Sequence, residues 1–297
     1  MPLRFPKRNS NRNYNFTSWC SLLYSNHLQN LKTVNQIMIE NTVEIKKLCF
    51  GYSKEKPLLE GIDLDIENGA VTSILGPNGS GKTTLLKLIL GLLEPISGDI
   101  FVCGRNLKEI PFKERARILA YVPQKHSAVF DYKVIDVCAM GRVAYTGIFS
   151  GVGREDLRIA MECLERMEIS HLADKPYTKL SGGQQQMVII ARALAQQAKI
   201  LVLDEPVTGL DYGNQISLLK LLKELASEGI TCIKTTHYPE HALWTSGNAI
   251  FMKNGAIIAK GPTEQVVTSE NLKAIYNTDI VLMKHPENGI TTCVPLV

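Results

Sequence analysis

The stretch GPNGSGKT, residues 76–83, constrains this chain more than any other. Ahead of it lies AVTSIL, a continuous apolar run of the kind a strand buried on both faces shows. Behind it KTTLLKLILGLL spaces its apolar residues as a helix does, with Leu85, Leu88, Ile89 and Leu92 on one face. The connection must therefore turn tightly between a buried strand and an amphipathic helix. Glycines at 76, 79 and 81 let the backbone bend so that its N–H groups point inward, and the helix start adds the positive end of its dipole. That is an anion cradle. The spacing G-x-x-x-x-G-K-[ST] adds a cation and a hydroxyl. Lys82 is expected to reach the β- and γ-phosphates of a nucleotide, and the Thr83 hydroxyl to ligate Mg²⁺. By chance such a pattern arises in a chain of this length about once in a hundred.

A phosphate cradle of this kind needs a second metal arm. ILVLDEP, residues 200–206, has the pattern of a buried strand that ends on Asp204 and Glu205. Asp204 then stands at the sheet edge, where Mg²⁺ sits, and Glu205 can polarise a water for attack on the γ-phosphate. Alone, a strand followed by a polar turn is ordinary in any α/β protein; beside GPNGSGKT it gains weight.

A second cradle lies about a hundred residues downstream. In LSGGQQQ, residues 180–186, Ser181, Gly182 and Gly183 open a helix. The bland account is an N-cap with a glycine turn. A helix start with free N–H groups is also an anion site. This one has no lysine, no metal hydroxyl and no buried strand before it, so it reads as half of a site.

Around these motifs the chain alternates strand and helix signals. Strands are expected at VEIKKLCF, IDLDIE, DIFVCG and LAYVPQ, and again at ITCIKTTH, AIFMKNG and AIIAKG. Residues 131–197 carry helix signals instead. One helix should bury Leu157, Ala160, Met161 and Leu164, another Met187, Ile190, Ala191 and Leu194. The order implies an α/β core with a helical insertion and a small helix-and-strand appendix over the last 30 residues. Arg142 and Arg192 read as structural residues and His241 as a helix-surface residue.

LSGGQ is similar to the signature of ATP-binding cassette (ABC) ATPases, and the other elements of that family stand in their order. Tyr52 in FGY resembles the aromatic that stacks on adenine. Residues Gly76, Pro77, Asn78, Gly79, Ser80, Gly81, Lys82 and Thr83, with Thr84 beside them, resemble the Walker A nucleotide loop. Gln124 in YVPQ resembles the Q-loop glutamine. Asp204 and Glu205 resemble Walker B and the catalytic carboxylate. Asp211 resembles the D-loop aspartate and His237 the switch histidine. The resemblance covers about residues 43–295. It implies an α/β P-loop NTPase core, namely a mixed sheet with flanking helices and an antiparallel β subdomain, interrupted by a helical subdomain at about 125–197. A C-terminal appendix is expected at about 265–297. It further implies ATP and Mg²⁺, the metal held by Thr83, Gln124 and Asp204, with Glu205, His237 and Gln124 catalytic. Ser181, Gly182, Gly183 and Gln184 would serve the ATP of a second, head-to-tail copy. Val207, Tyr238 and Met187 depart from the commonest family pattern without removing a catalytic group.

The rest of the sequence narrows the class. Of 297 residues, 45% are hydrophobic and no apolar run nears the roughly 20 residues of a membrane span. The net charge of +4 is too small to argue for nucleic acid. Seven scattered cysteines, none as C-x-x-C, read as reduced thiols in a cytoplasm. Residues 1–37 hold seven asparagines, five Lys or Arg and no acid. They read as a disordered leader or an overlong start, with Met38 a candidate true start; a transit peptide is the other reading. With one cassette and no long coiled coil between the motifs, the chain resembles a transporter subunit at the cytoplasmic face of a membrane. Its partners would be a separate permease dimer and, indirectly, an extracytoplasmic substrate-binding protein. The segment after Gln124 and the tail resemble importers of iron-siderophores, haem or cobalamin. Zinc or manganese importers, a non-hydrolysing regulatory module and a P-loop kinase are the alternatives.

Overall fold

The computed structural model describes residues 41–297 apart from 54–55, 125–130, 147–150, 246, 288 and 297. The leader and the candidate start at Met38 lie outside the described residues. In chain order the strands are β1 (Asn41–Phe50), β2 (Leu59–Glu67), β3 (Val71–Leu75), β4 (Ser97–Val102), β5 (Arg105–Asn106), β6 (Leu119–Val122), β7 (Ile200–Leu203), β8 (Thr231–Thr236), β9 (Asn248–Lys253), β10 (Ala256–Pro262), β11 (Ile280–Lys284) and β12 (Thr291–Pro295). The helices are α1 (Lys82–Ile89), α2 (Phe112–Ile118), α3 (Val134–Ala139), α4 (Arg154–Arg166), α5 (Gly182–Ala195), α6 (Tyr212–Ser227), α7 (Pro239–Thr245), α8 (Thr263–Val266) and α9 (Ser269–Tyr276).

Two sheets build the core. The first is antiparallel, in the order β2-β1-β4-β5. Its β2 buries Leu59, Ile62, Leu64 and Ile66 and turns Glu60, Asp63, Asp65 and Glu67 outward, the alternation of a sheet with one wet face. The second sheet runs β10-β9-β3-β8-β7-β6, parallel from β9 to β6 with β10 antiparallel at the edge. Its central strands β3, β8 and β7 are buried at every residue, so both faces are covered. Helix α1 shares one apolar core with β1, β2 and β4 on one side and with β3, β7, β8 and β9 on the other. This is the α/β nucleotide-loop fold with a mixed sheet. The helix stops at Leu90, before Gly91 at φ +65°. Leu92, expected on its apolar stripe, therefore falls beyond the last turn and is 53% exposed.

Between β6 and β7 the described chain has helices and no strand, and α3, α4 and α5 form a second core with α6. Helix α4 buries only half of the stripe read from its sequence. Leu157 is exposed and Met161 half-buried, while Ile159, Ala160, Cys163 and Leu164 are buried. An ion pair at the margin of the core goes with this face: Arg142 Nε, buried, meets half-buried Asp156 Oδ1 at 3.2 Å, and Asp156 leads the i, i+3, i+4, i+7 row of Ile159, Ala160 and Cys163. His241 is likewise buried, not on a helix surface. It packs between Tyr238 and Trp244 with ring centroids at 4.8 and 5.7 Å. Every residue of the short helix α7 is buried or half-buried, so none of its sides is fully open to solvent. That appendix, α8, α9 and the β11–β12 hairpin, shares a third core with Leu75, Ala242, Ala249 and Phe251. Among the described residues no helix is long and apolar enough to cross a membrane.

Candidate nucleotide site

The loop after β3 is built against the turn between β9 and β10. Gly76 has φ +155°, and a Cβ there would lie 2.2 Å from the Met252 carbonyl oxygen. At Gly81, φ +100°, a Cβ would come within 2.6 Å of a Leu59 methyl. At Gly79, φ +78°, the space is open. So 76 and 81 need glycine for space and conformation, and 79 for conformation alone. Pro77 is half-buried and Asn78 exposed at the loop's tip. Lys82 is buried, and its Nζ donates to the carbonyls of Gly76 at 2.8 Å and Pro77 at 3.0 Å. Burial lowers its pKa, and the charges of Glu205 and Asp204 oppose that shift. Thr83 is half-buried on the first turn of α1, and the Ser80 hydroxyl is buried with no hydrogen-bond partner among the described residues. A desolvated ammonium held only by carbonyls and an unanswered hydroxyl both fit an incoming phosphate chain. Tyr52 stands beside this loop with its hydroxyl 3.3 Å from Thr84 Oγ1. Its ring meets Phe50 edge-on yet is 69% exposed, so a face is free for stacking.

The carboxylates come from the end of β7. Asp204 is buried, its N–H donating to the Val122 carbonyl and its Oδ1 accepting from Thr235 Oγ1 at 2.7 Å. Glu205 follows in the left-handed region at φ +49°, a conformation that costs a non-glycine residue about 1–2 kcal/mol. The Thr235 hydroxyl holds it there by accepting from Glu205 N at 2.8 Å. The reversal presents the Glu205 carboxylate to three groups at once. Gln124 Nε2 donates to Oε2 at 2.6 Å, Thr208 Oγ1 to the same oxygen at 3.4 Å, and His237 Nε2 shares a short hydrogen bond with Oε1. The structure thus brings Gln124, Glu205 and His237, far apart in sequence, to one point. Thr235 and Thr208 escaped the sequence reading. The one signal for Thr235 was its place two residues before His237 in TTH.

Metal-donor chemistry is compatible with this arrangement. Asp204 offers one carboxylate, and Thr83 and Gln124 offer neutral oxygens. Mg²⁺ is usually held by few protein ligands and completes its shell with phosphate and water. Among the described residues no group of three His, Cys, Asp or Glu side chains is placed to hold a metal without such help.

Ser181, Gly182, Gly183 and Gln184 open α5 as a reciprocal cap. Ser181 Oγ accepts from Gln184 N at 3.3 Å, and Gln184 Oε1 accepts from Ser181 N at 3.1 Å. Gly183 lies against the Gly209 carbonyl, which a Cβ would approach to 3.1 Å. Gln186 Nε2 reaches the Pro206 carbonyl. Asp211 caps α6, accepting from Asn214 N at 2.9 Å. Residues 181–184 share no hydrogen bond with residues 76–84 among the described residues, and the two segments head helices in different cores. Val207 and Met187, the departures noted above, are simply buried apolar residues.

A family profile described as ABC transporter matches residues 59–208. A Haemophilus influenzae ABC transporter ATP-binding protein of uncharacterised role is 41% identical over 249 residues, 84% of this chain and 94% of that protein. The ferric enterobactin transport ATP-binding protein FepC of Escherichia coli is 34% identical over 87% of this chain and 96% of its own. The molybdate import ATP-binding protein MolC of Haemophilus influenzae is also 34% identical, over 87% and 98%. Among solved structures, an inward-facing ABC transporter described as of metal-chelate type superposes with a TM-score of 0.77 at 32% identity, over 87% of this chain and 98% of that one. A dimeric bacterial ABC transporter cassette, MJ0796, gives 0.67 at 30% identity, over 74% and 98%. Motif order, fold and relatives agree: the chain belongs to the ABC transporter family and is one of its ATP-binding ATPases.

Proposed function

We propose that this chain is the ATP-hydrolysing subunit of a binding-protein-dependent importer, working as a head-to-tail pair beneath a separate permease at the cytoplasmic face of the membrane. The observation that carries the reading is the Glu205 carboxylate. It stands at the edge of the sheet that supports the nucleotide loop, held by Gln124 and His237.

In this reading Tyr52 stacks on the adenine and residues 76–84 wrap the phosphates. Lys82 exchanges its two loop carbonyls for phosphate oxygens. Glu205 accepts a proton from the attacking water, and His237 holds Glu205 and the γ-phosphate in mutual register. Mg²⁺, when bound by Thr83, Gln124 and Asp204, neutralises charge on the phosphate oxygens. With Ser181 and Gln184 closing the cap, Gly182 and Gly183 turn their N–H groups and Ser181 its hydroxyl to the γ-phosphate bound by the other copy, and Asp211 lies at that junction. Supporting the shared site are the separation of the two cradles within one chain and the dimeric relative. ATP then favours the closed pair, and the helical segment after Gln124 passes closure to the permease.

Glu205→Gln is the direct test. It should bind ATP, accumulate as a dimer and hydrolyse at least about 100-fold more slowly. Turnover at the parent rate would refute the assignment.

For the cargo the reading is a chelated metal, a ferric siderophore, haem or cobalamin. The sequence of the permease-facing segment and tail supports it, as do FepC and the metal-chelate type transporter. Vesicles holding this subunit with its permease, supplied with the substrate-binding protein, should take up one of these chelates. Uptake of molybdate or free manganese, and of no chelate, would overturn it.

A further inference from the structure

His237 occupies the two-residue connection between β8 and α7, where no sheet ladder fixes the backbone. Hydrogen bonds to its backbone on either side of the His237 ring pin it. On one side Thr236 Oγ1 accepts from Tyr238 N at 3.1 Å. On the other the Tyr276 hydroxyl donates to the His237 carbonyl at 3.2 Å. Tyr276 is the last residue of α9, 39 positions downstream and in the C-terminal appendix.

The appendix is itself anchored to the sheet that carries the nucleotide loop. Leu272 and Ile275 of α9 are buried with Leu75, the last residue of β3, and with Phe251 of β9. Lys253, at the end of β9, donates to the Ala274 carbonyl and to Asn277 Oδ1, capping the C-terminus of α9. Strand β9 pairs directly with β3, Phe251 opposite Leu75. A chain of contacts therefore runs from the strand that launches the nucleotide loop, through β9 and α9, to the carbonyl of His237. Burial raises the Tyr276 pKa, with Glu240 and Cys293 adding to the shift, so the phenol keeps its proton and stays a donor.

We infer that Tyr276 is a positioning residue for hydrolysis: through its hydroxyl the C-terminal appendix sets His237 at a fixed place relative to Glu205 and the nucleotide loop. The inference rests on the role given to His237 above. Among the described residues Tyr276 bonds the His237 carbonyl and no residue of the nucleotide loop, so its effect falls on turnover rather than on ATP affinity. The appendix is thereby part of the catalytic unit.

The test is steady-state ATP hydrolysis by the full chain with Tyr276→Phe, which removes one oxygen and keeps the ring in its core. Loss of one hydrogen bond should lower kcat about three- to tenfold with KM for ATP within about twofold. The same substitution placed on His237→Ala should change the residual rate by less than about twofold, since the bond then positions no imidazole. Overturning results are a kcat for Tyr276→Phe within about twofold of the parent, an equal rise in KM, or the same fractional loss in both backgrounds. Glu205→Gln run alongside separates the two claims. If it abolishes hydrolysis, the reading of the site stands whichever way Tyr276→Phe falls; if it does not, both are overturned.

Discussion

At the scale of single residues the nucleotide loop is a question of room. Gly76 and Gly79 both let the loop bend, but for different reasons. A methyl group at 76 would strike the Met252 carbonyl, whereas at 79 it would meet nothing and face only the left-handed conformation. Gly76→Ala should therefore cost several kcal/mol, on the order of 3, and abolish nucleotide binding. Gly79→Ala should cost about 1–2 kcal/mol and weaken binding. Thermal melts with and without an ATP analogue check the ranking, and equal effects would refute the packing argument. Glu205 shows the complementary case, a left-handed turn kept at a non-glycine residue whose N–H the Thr235 hydroxyl holds.

At the scale of an element β8 is the instructive one. All six residues are buried, yet TCIKTT is mostly polar. Each polar group has a task. Thr231 braces the turn between β2 and β3, accepting from Gly69 N at 3.0 Å, Thr235 holds the Asp204 carboxylate and the Glu205 N–H, and Thr236 steadies the His237 connection. Lys234 is the expensive member. Its Nζ donates to the His241 carbonyl at 3.0 Å, and burial lowers its pKa to about 7. The unfolded value is about 10.4, so between about pH 7 and 10.4 the unfolded chain binds more protons and stability rises with pH. Below about pH 7 both states carry the charge and this slope ends. His241, lowered to about 4 by burial and then by Lys234, acts lower down: stability falls as pH drops from about 6.5 to about 4. Lys234→Met should raise stability at pH 7 by about 1–2 kcal/mol and remove the upper slope. Melting midpoints from pH 6 to 9.5 for the two chains test this. Their difference is the quantity to read, because buried Cys163, raised to about 12, opposes the slope equally in both. A constant difference across that range would count against a neutral Lys234.

At the scale of the whole molecule the two cradles decide the unit of function. If each ATP is shared, a chain lacking Lys82 and a chain lacking a working signature should repair each other. Lys82→Ala fails to hold phosphate and Ser181→Arg blocks the partner's site, so each alone should be inactive. Mixed, they form heterodimers in which one site carries both faults and the other none. The mixture should regain a substantial share, about a tenth or more, of parent activity in a hydrolysis assay; no recovery would argue for a site complete within one chain.

Much of this was legible in the residues. The nucleotide loop, the buried strand ending in Asp204 and Glu205, and the strand-helix order follow from local periodicity and from spacings that few other sequences share. Those features arise within a few residues of one another, so the sequence by itself determined them. Three things were decided only by the tertiary structure, for one physical reason: each depends on a partner distant in sequence. The buried face of α4 follows Asp156 to Arg142, 14 residues away. The Glu205 turn is held by Thr235, 30 residues on. Tyr276 meets the His237 carbonyl because Leu272 and Ile275 are buried with the strands of the nucleotide-loop sheet. Periodicity reports which side of an element is apolar, but the partner packed against it chooses which side turns in.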